Sequence, residues 1–304
     1  MKRGRRLKEI WRRFRKNRLA MVGLVVILIV VMLSILAPLI APYGLDEQNA
    51  RNRLLAPCAE HWFGTDNYGR DILTRVLYGG RVSLTVAVGA TAISGFFGII
   101  LGATAGFFGG KVDNVIMRIL DVFMALPATF GGKVDNVIMR ILDVFMALPA
   151  TLTAIAISTV LGTGVTKTML ALGLATVPRF ARIVRGPILS LRTSEFIEAA
   201  QSIDVSTPKI IFKHIIPNVL SPIIVQATLY IATTLMVASS LSFVGLGVQP
   251  PSAEWGAMIT AGRAYIKGNW WLITFPGLAI LCSVFSMNVL GDGLRDALDP
   301  RLKN

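Results

Sequence analysis

The chain has 304 residues, 54% of them hydrophobic and 16% charged, with a formal net charge of +14. Soluble domains carry about a quarter charged residues, so water is not this protein's main solvent and an ordinary soluble globular fold is excluded. The positive charge does not mark a nucleic-acid binder either: ten Lys/Arg against one Glu precede Leu19 and abut the first apolar run, the pattern of a positive-inside membrane anchor.

Apolar runs of about 18 residues or more, enough to cross a bilayer, occur at 19–40, 82–107, 137–161, 219–244 and 272–290, with a shorter run at 169–184 that ends in arginines. The expected fold is all-α, a polytopic membrane protein with six transmembrane helices. Residues 1–18 are a basic cytoplasmic N-terminus. Residues 19–40 form an uncleaved signal anchor, because the run exceeds the roughly 7–15 apolar residues of a cleavable signal. Residues 41–81 form an outer loop with an interfacial helix, 82–293 the transmembrane core and 294–304 a cytoplasmic tail. Six crossings from a cytoplasmic start place the 185–218 loop and the tail inside. Both are basic, with Arg185, Arg192, Lys209 and Lys213 in the first and Arg295, Arg301 and Lys303 in the second, as the positive-inside rule requires. Trp62, Trp255, Trp270 and Trp271 fall in the outward loops, either as interfacial anchors or as ordinary belt packing. Cys58 and Cys282 lack metal spacing and imply no disulfide framework.

In the second run Ala90, Ser94, Gly98, Gly102 and Gly106 recur every four residues, a stripe of small side chains on one helix face that lets another helix approach closely. Its partner is either a helix of this chain or a sister subunit. Residues 108–129, FGGKVDNVIMRILDVFMALPAT, are followed by the same 22 residues at 130–151. Repeat folds diverge between units, so the pair reads as a recent tandem duplication or an assembly error. Only the second copy continues directly into an apolar stretch, which assigns the third span to 137–161. The first copy holds Lys111, Asp113, Arg118 and Asp121 before Pro127. Charges at the bilayer centre are costly, so an interfacial or looped-out cytoplasmic helix is expected there. In the third span Arg140 and Asp143 share a face and suit an ion pair more than a transport site, and Pro149 permits a kink.

The cytoplasmic loop 195–218 reads EFIEAAQSIDVSTPKIIFKHIIPN. Residues 196–202 favour helix, 203–205 a turn, and Ser206 or Thr207 before Pro208 a second helix start. The second helix is expected to end at Pro217. Phe196, Ile197, Ile211 and Phe212 among charges make a knob for a partner's groove, with a membrane-surface helix as the other reading.

At this loop the sequence resembles the EAA loop of bacterial binding-protein-dependent importer permeases of the ATP-binding-cassette class. The likeness extends to HWFGTDNYGRDILTRVLYGGRVSL, AGFFGGKVDNVIMR, SFVGLGVQPPSAEWGAMI, WWLITFPGLAIL and GDGLRDALDPRLK. Together these resemble the dipeptide/oligopeptide/nickel permease family, its second permease subunit in particular, over nearly the whole chain except the extra copy. The resemblance implies a type I importer permease fold, with Glu198, Ala199, Ala200, Ile216 and Pro217 at the loop's defining positions for coupling to the ATPase. Asp204 stands where the family usually has glycine. Implied partners are a sister permease, two ATPase subunits, an extracytoplasmic solute-binding protein and membrane lipid, with no nucleic acid.

No enzyme motif is apparent. The stretch GTGVTKT at 162–168 lacks the glycine spacing of a phosphate-binding loop. His61 and His214 lack clustered ligands. ATP is therefore expected on partner subunits, and no cofactor on this chain. Peptide is the expected cargo and nickel the alternative. A rival of another class, an ion-coupled secondary transporter, predicts midplane charges that the fourth to sixth runs almost lack. The expected location is the cell membrane, with both termini cytoplasmic.

Overall fold

The computed structural model describes residues 2–124 and 150–298. In chain order the helices are α1 (Lys2–Lys16), α2 (Arg18–Ile35), α3 (Ala37–Ile40), α4 (Ile72–Phe108), α5 (Gly110–Met124), α6 (Ala150–Leu161), α7 (Val165–Arg192), α8 (Glu195–Ser202), α9 (Thr207–Ile210), α10 (Ile216–Phe243), α11 (Trp255–Gly262) and α12 (Trp271–Leu298). The described residues contain no strand beyond an isolated bridge between Thr65 and Asp71. Among the described residues, four helices are long and apolar enough to cross a membrane: α2, α4, Thr207–Phe243 and α12. Of the two remaining expected spans, the third is described only as the short apolar helix Thr151–Leu161, and its residues before 150 lie outside the described ones, Arg140, Asp143 and Pro149 among them. The fourth corresponds to α7, 28 residues long, whose Arg179, Arg182 and Arg185 lower its apolarity.

The chain divides into two compact units. The first comprises Met1–Gly89, Ser158–Leu170 and Thr228–Asn304. There α2 packs on α12 through small residues: a methyl on Gly293 would strike the Ala20 side chain, and one on Gly23 would lie 2.9 Å from the Ser286 carbonyl oxygen. Asn17 separates α1 from α2 and caps the latter, its side-chain oxygen accepting from the Ala20 N–H at 3.1 Å. Phe14, Ala20 and Ala297 bury one another at this corner.

The outer segment departs from expectation. In place of an interfacial helix it holds a single 3-10 turn at Ala50–Asn52, and α4 starts at Ile72 rather than near residue 82. The reason is local: the Asp71 carboxylate accepts the Thr74 N–H at 2.8 Å, an N-cap that starts the helix before the apolar run begins. The other carboxylate oxygen lies 3.0 Å from His61 Nδ1. Two of the four tryptophans are core residues. Trp255 is 1% and Trp271 5% exposed, and their indole N–H groups donate to the carbonyl oxygens of Val76 at 2.9 Å and Thr65 at 3.3 Å. Trp62 and Trp270 remain exposed.

The second unit comprises Ala90–Ile157 and Ala171–Ala227. Its frame is the contact of α4 with α7. Methyls on Gly98 and Gly106 would lie 2.8 Å from Phe180 Cβ and 2.9 Å from the Ile188 side chain, and one on Gly102 would run into the Ala181 carbonyl oxygen. The small stripe thus faces a helix of the same chain. Ser94 is fully buried, with its hydroxyl donating to the Thr91 carbonyl at 3.0 Å.

The first copy of the duplicated segment is not looped out: its Gly110–Met124 portion is α5, held in this frame. Leu120, with Ile116 and Met117, packs on Val177 and Ala181, and Asp113 forms a bidentate ion pair with Arg185. Val112, Val115 and Ile119 remain exposed, so one side of α5 is docked on the frame and the other is free, as an amphipathic surface helix requires. The second copy, apart from the backbone of its last two residues, lies outside the described residues.

Replacing Gly102 by Leu is expected to wedge α4 from α7 and to destabilise the protein by about 1–3 kcal/mol, read as a lower melting temperature in detergent. Gly186→Ala, where no atom lies within 4 Å of the added methyl, should leave the melting temperature equal or higher. Deleting residues 108–129 leaves one intact copy in sequence after α4, so the shortened chain is expected to express and melt at least as well as the full one. A fall in folded yield would contradict this account of α5.

Candidate functional site

The segment that joins α7 to α10 is a helical hairpin within the second unit. Helix α8 opens at Ser194, whose extended backbone (φ −83°, ψ 142°) ends the preceding turn. Glu195 and Glu198 occupy its first turn, where negative side chains favour the N-terminal end of the helix dipole. The end is a Schellman motif. Asp204 N–H donates to the Gln201 carbonyl at 3.0 Å and Val205 N–H to that of Ala200 at 3.2 Å. This closure needs a left-handed residue, and Asp204 supplies it at φ +59°. The position usually filled by glycine in the resembled family therefore keeps a glycine-like conformation here, at the cost an L side chain incurs in that region.

Helix α9 starts at Thr207 with Pro208 in its first turn. The second arm does not stop at Pro217: residues Thr207–Phe243 form one continuous helix. A π turn at Ile211–Ile215 precedes the proline, with Ile216 N–H bonded to the Ile211 carbonyl. This widened turn accommodates Pro217, which has no N–H to donate. The Asn218 side-chain amide donates to the His214 carbonyl at 2.7 Å.

The hairpin has two apolar sides with different fates. Ile197, Ile210, Ile211 and Ile215, at 0%, 1%, 7% and 0% exposure, and Ala200 beside them, anchor it. Phe196, Ile203 and Phe212 are exposed, at 43%, 75% and 66%. Of the four apolar residues expected to form the knob, Ile197 and Ile211 are therefore anchors. Ile203 takes a place in the knob that its reading as a plain turn residue had hidden, and the signal was a large apolar side chain at a helix C-cap. Glu198, Ala199, Asp204 and Pro217 are exposed, and Ile216 is half-buried. The free surface thus mixes carboxylates, a small residue and three large apolar side chains.

The other candidates lie elsewhere. Residues 162–164 turn between α6 and α7, with Gly162 and Gly164 at φ +82° and +131°. His61 is buried between Asp71 and the Tyr43 ring, 4.7 Å away, and His214 is half-buried on the hairpin. Cys58 and Cys282 are exposed free thiols. Among the described residues no three His, Cys, Asp or Glu side chains gather as metal ligands.

Residues 128–304 match the family described as "Binding-protein-dependent transport system inner membrane component", and residues 6–57 match the "N-terminal TM domain of oligopeptide transport permease C". The chain is 42% identical to the "Dipeptide transport system permease protein DppC" of Alkalihalophilus pseudofirmus, over 98% of this chain and 90% of the relative. The chain belongs to this permease family. Another relative, the "Di/tripeptide transport system permease protein DppC" of Pseudomonas aeruginosa, is 38% identical over 98% of the permease and 93% of the relative. The "Glutathione transport system permease protein GsiD" of Escherichia coli is 41% identical over 97% and 90%. Among solved structures, one described as inward-facing conformations of the MetNI methionine ABC transporter gives a TM-score of 0.48 at 18% identity, covering 75% of the permease and 98% of that chain. The permease is thus an inner-membrane transport component whose family works with a binding protein. Most of the first copy, residues 108–127, lies between the two matched segments.

Asp204→Gly is expected to relieve the left-handed residue and stabilise the hairpin by up to about 1 kcal/mol, and Asp204→Val to destabilise it by more than that. Hydrogen exchange at Asp204 or its replacement and at Val205, the two donors of the motif, measures both effects. Faster exchange in the glycine variant would contradict the geometry.

Proposed function

We propose that this chain is the second permease subunit of an ATP-driven peptide importer. It pairs with a sister permease, receives di- or oligopeptides from an extracytoplasmic solute-binding protein, and moves them inward as two separate ATPase subunits close on ATP. The observation that carries this reading is the hairpin 194–218, anchored by buried isoleucines and presenting Phe196, Ile203 and Phe212 outward. Large exposed apolar side chains set among charged ones are the chemistry of a docking surface.

In this reading Glu198, Ala199, Ala200, Asp204, Ile216 and Pro217 form the coupling site. Ala199 lets the partner approach, Glu198 and Asp204 meet its cations, and Ala200 with Ile216 and Pro217 fixes the hairpin on the membrane body. ATP is held by the partners and no cofactor by this chain, which has no enzymatic activity of its own. Both termini are cytoplasmic, so the hairpin faces the cytoplasm and the 41–71 segment faces outward. The stripe Ser94, Gly98, Gly102 and Gly106 keeps α4 and α7 together as one body during the rocking motion of alternating access. Peptide, rather than nickel, is the cargo named for the relatives above.

Uptake of a labelled dipeptide by cells carrying the complete transporter is expected to exceed uptake of labelled nickel. Glu198→Lys is expected to lower peptide uptake by about tenfold or more, because a like charge placed at an interface costs at least the ~1.4 kcal/mol that a factor of ten requires, with membrane insertion unchanged. Equal uptake by the reversed-charge variant, or transport of nickel in preference to peptide, contradicts the reading.

A further inference from the structure

Outside the hairpin, the first unit contains a small cleft bordered by Asn67, Arg70 and Arg75 together with Ser252, Met258 and Leu272. Its two cations are not equivalent. Arg70 is already neutralised: its Nε donates to Asp66 Oδ2 at 2.7 Å, and its guanidinium lies 4.7 Å from the centre of the Tyr68 ring. Asp66, which also borders the cleft, accepts in addition the backbone N–H groups of Tyr68 and Arg70 at 2.8 and 3.0 Å.

Arg75 is 4% exposed. It donates from Nη1 to the Leu45 carbonyl at 3.4 Å and from Nη2 to the Pro251 carbonyl at 3.1 Å. A guanidinium has five N–H donors, so three of Arg75's find no hydrogen-bond acceptor among the described residues. The carboxylate it faces, Asp46, stands 3.7 Å away on a side chain that is 62% exposed, and so partial a partner is weakened by solvent. A buried cation with donors to spare is costly until an anion completes it. The planar fork of a guanidinium matches a carboxylate better than any other common group. The cleft measures about 30 Å³, against roughly 10–15 Å³ for a single water by the same measure. That admits a carboxylate head, with Met258 and Leu272 offering apolar surface to whatever it is attached to.

We propose that this cleft is a carboxylate-binding subsite, with Arg75 as the group that meets the anion, and that it takes the free C-terminal carboxylate of the peptide cargo. It rests on the reading of the chain as a peptide permease, in which the cleft opens on the outer side where cargo arrives. Side-chain carboxylates and free small acids share the chemistry, so the test separates them.

The experiment is equilibrium binding to the assembled transporter in lipid nanodiscs, without its binding protein. The probes are a labelled dipeptide, its C-terminal amide, and acetate as competitor. The free acid is expected to bind about tenfold more tightly than the amide, the worth of one charge-assisted bidentate contact, with acetate competing only weakly. Arg75→Gln should abolish that preference. Because Arg75 also holds the Pro251 carbonyl, a second variant leaves it in place: Ala261→Phe, at an exposed position bordering the cleft, fills the space and should abolish the preference equally. Equal binding of acid and amide by the unmodified protein overturns the proposal, as does a preference that survives Ala261→Phe. Acetate competing as strongly as the dipeptide assigns the cleft to small free acids and overturns the peptide terminus. Failure of the peptide-importer reading shows separately, as absence of peptide uptake in cells even where the acid preference is intact.

Discussion

The close approach of α4 and α7 is the constraint on which the second unit depends. Gly98, Gly102 and Gly106 meet Phe180, Ala181, Val184 and Ile188 at matching four-residue steps, and in lipid, where burial of apolar surface gains little, such packing is what holds helices together. Once α7 is fixed, Arg185 is fixed, and with it the ion pair to Asp113 that docks α5. Two turns further on, the last residue of the same helix is Arg192, whose guanidinium lies against Gly109 at the turn from α4 into α5. Gly109 takes φ +61° there, so both lack of a side chain and backbone freedom are used at that one position.

The hairpin begins two residues beyond the end of α7 and runs without a break into α10, so a push on its exposed side reaches two long helices. Four buried isoleucines prevent it from swivelling on its base. The π turn lets the second arm pass through Pro217 as one helix instead of breaking there, which would have introduced a hinge between the knob and the membrane body. A rigid connection of this kind suits a part that transmits force, and the left-handed Asp204 is the strain that its tight turn carries.

Much of this was legible in the sequence because it rests on periodicity and composition. The apolar runs at 82–107 and 219–244 became α4 and α10, the glycine stripe marked a helix contact, and Pro208 marked a helix start. What was hidden depended on single side chains acting out of type. Asp71 caps α4 inside a polar stretch and so moves the helix start ten residues before the apolar run. Trp255 and Trp271 look like interfacial residues until their N–H groups are seen bonded to buried carbonyls. Pro217 reads as a helix stop, and only a π turn, which has no composition of its own, overrides it. The first copy of the duplication carried charges that pointed outward, yet Asp113 finds Arg185 72 residues later, a long-range pairing that no local pattern reveals.

The central claim is that the exposed side of the hairpin receives work from a partner on the cytoplasmic side. It is tested most directly by placing a single cysteine at Phe212, after removing Cys58 and Cys282, in the assembled transporter. The account predicts that this thiol cross-links to an ATPase subunit and is shielded from impermeant reagents added to intact cells. Labelling of Phe212→Cys from outside, with no cross-link to the ATPase, would contradict it.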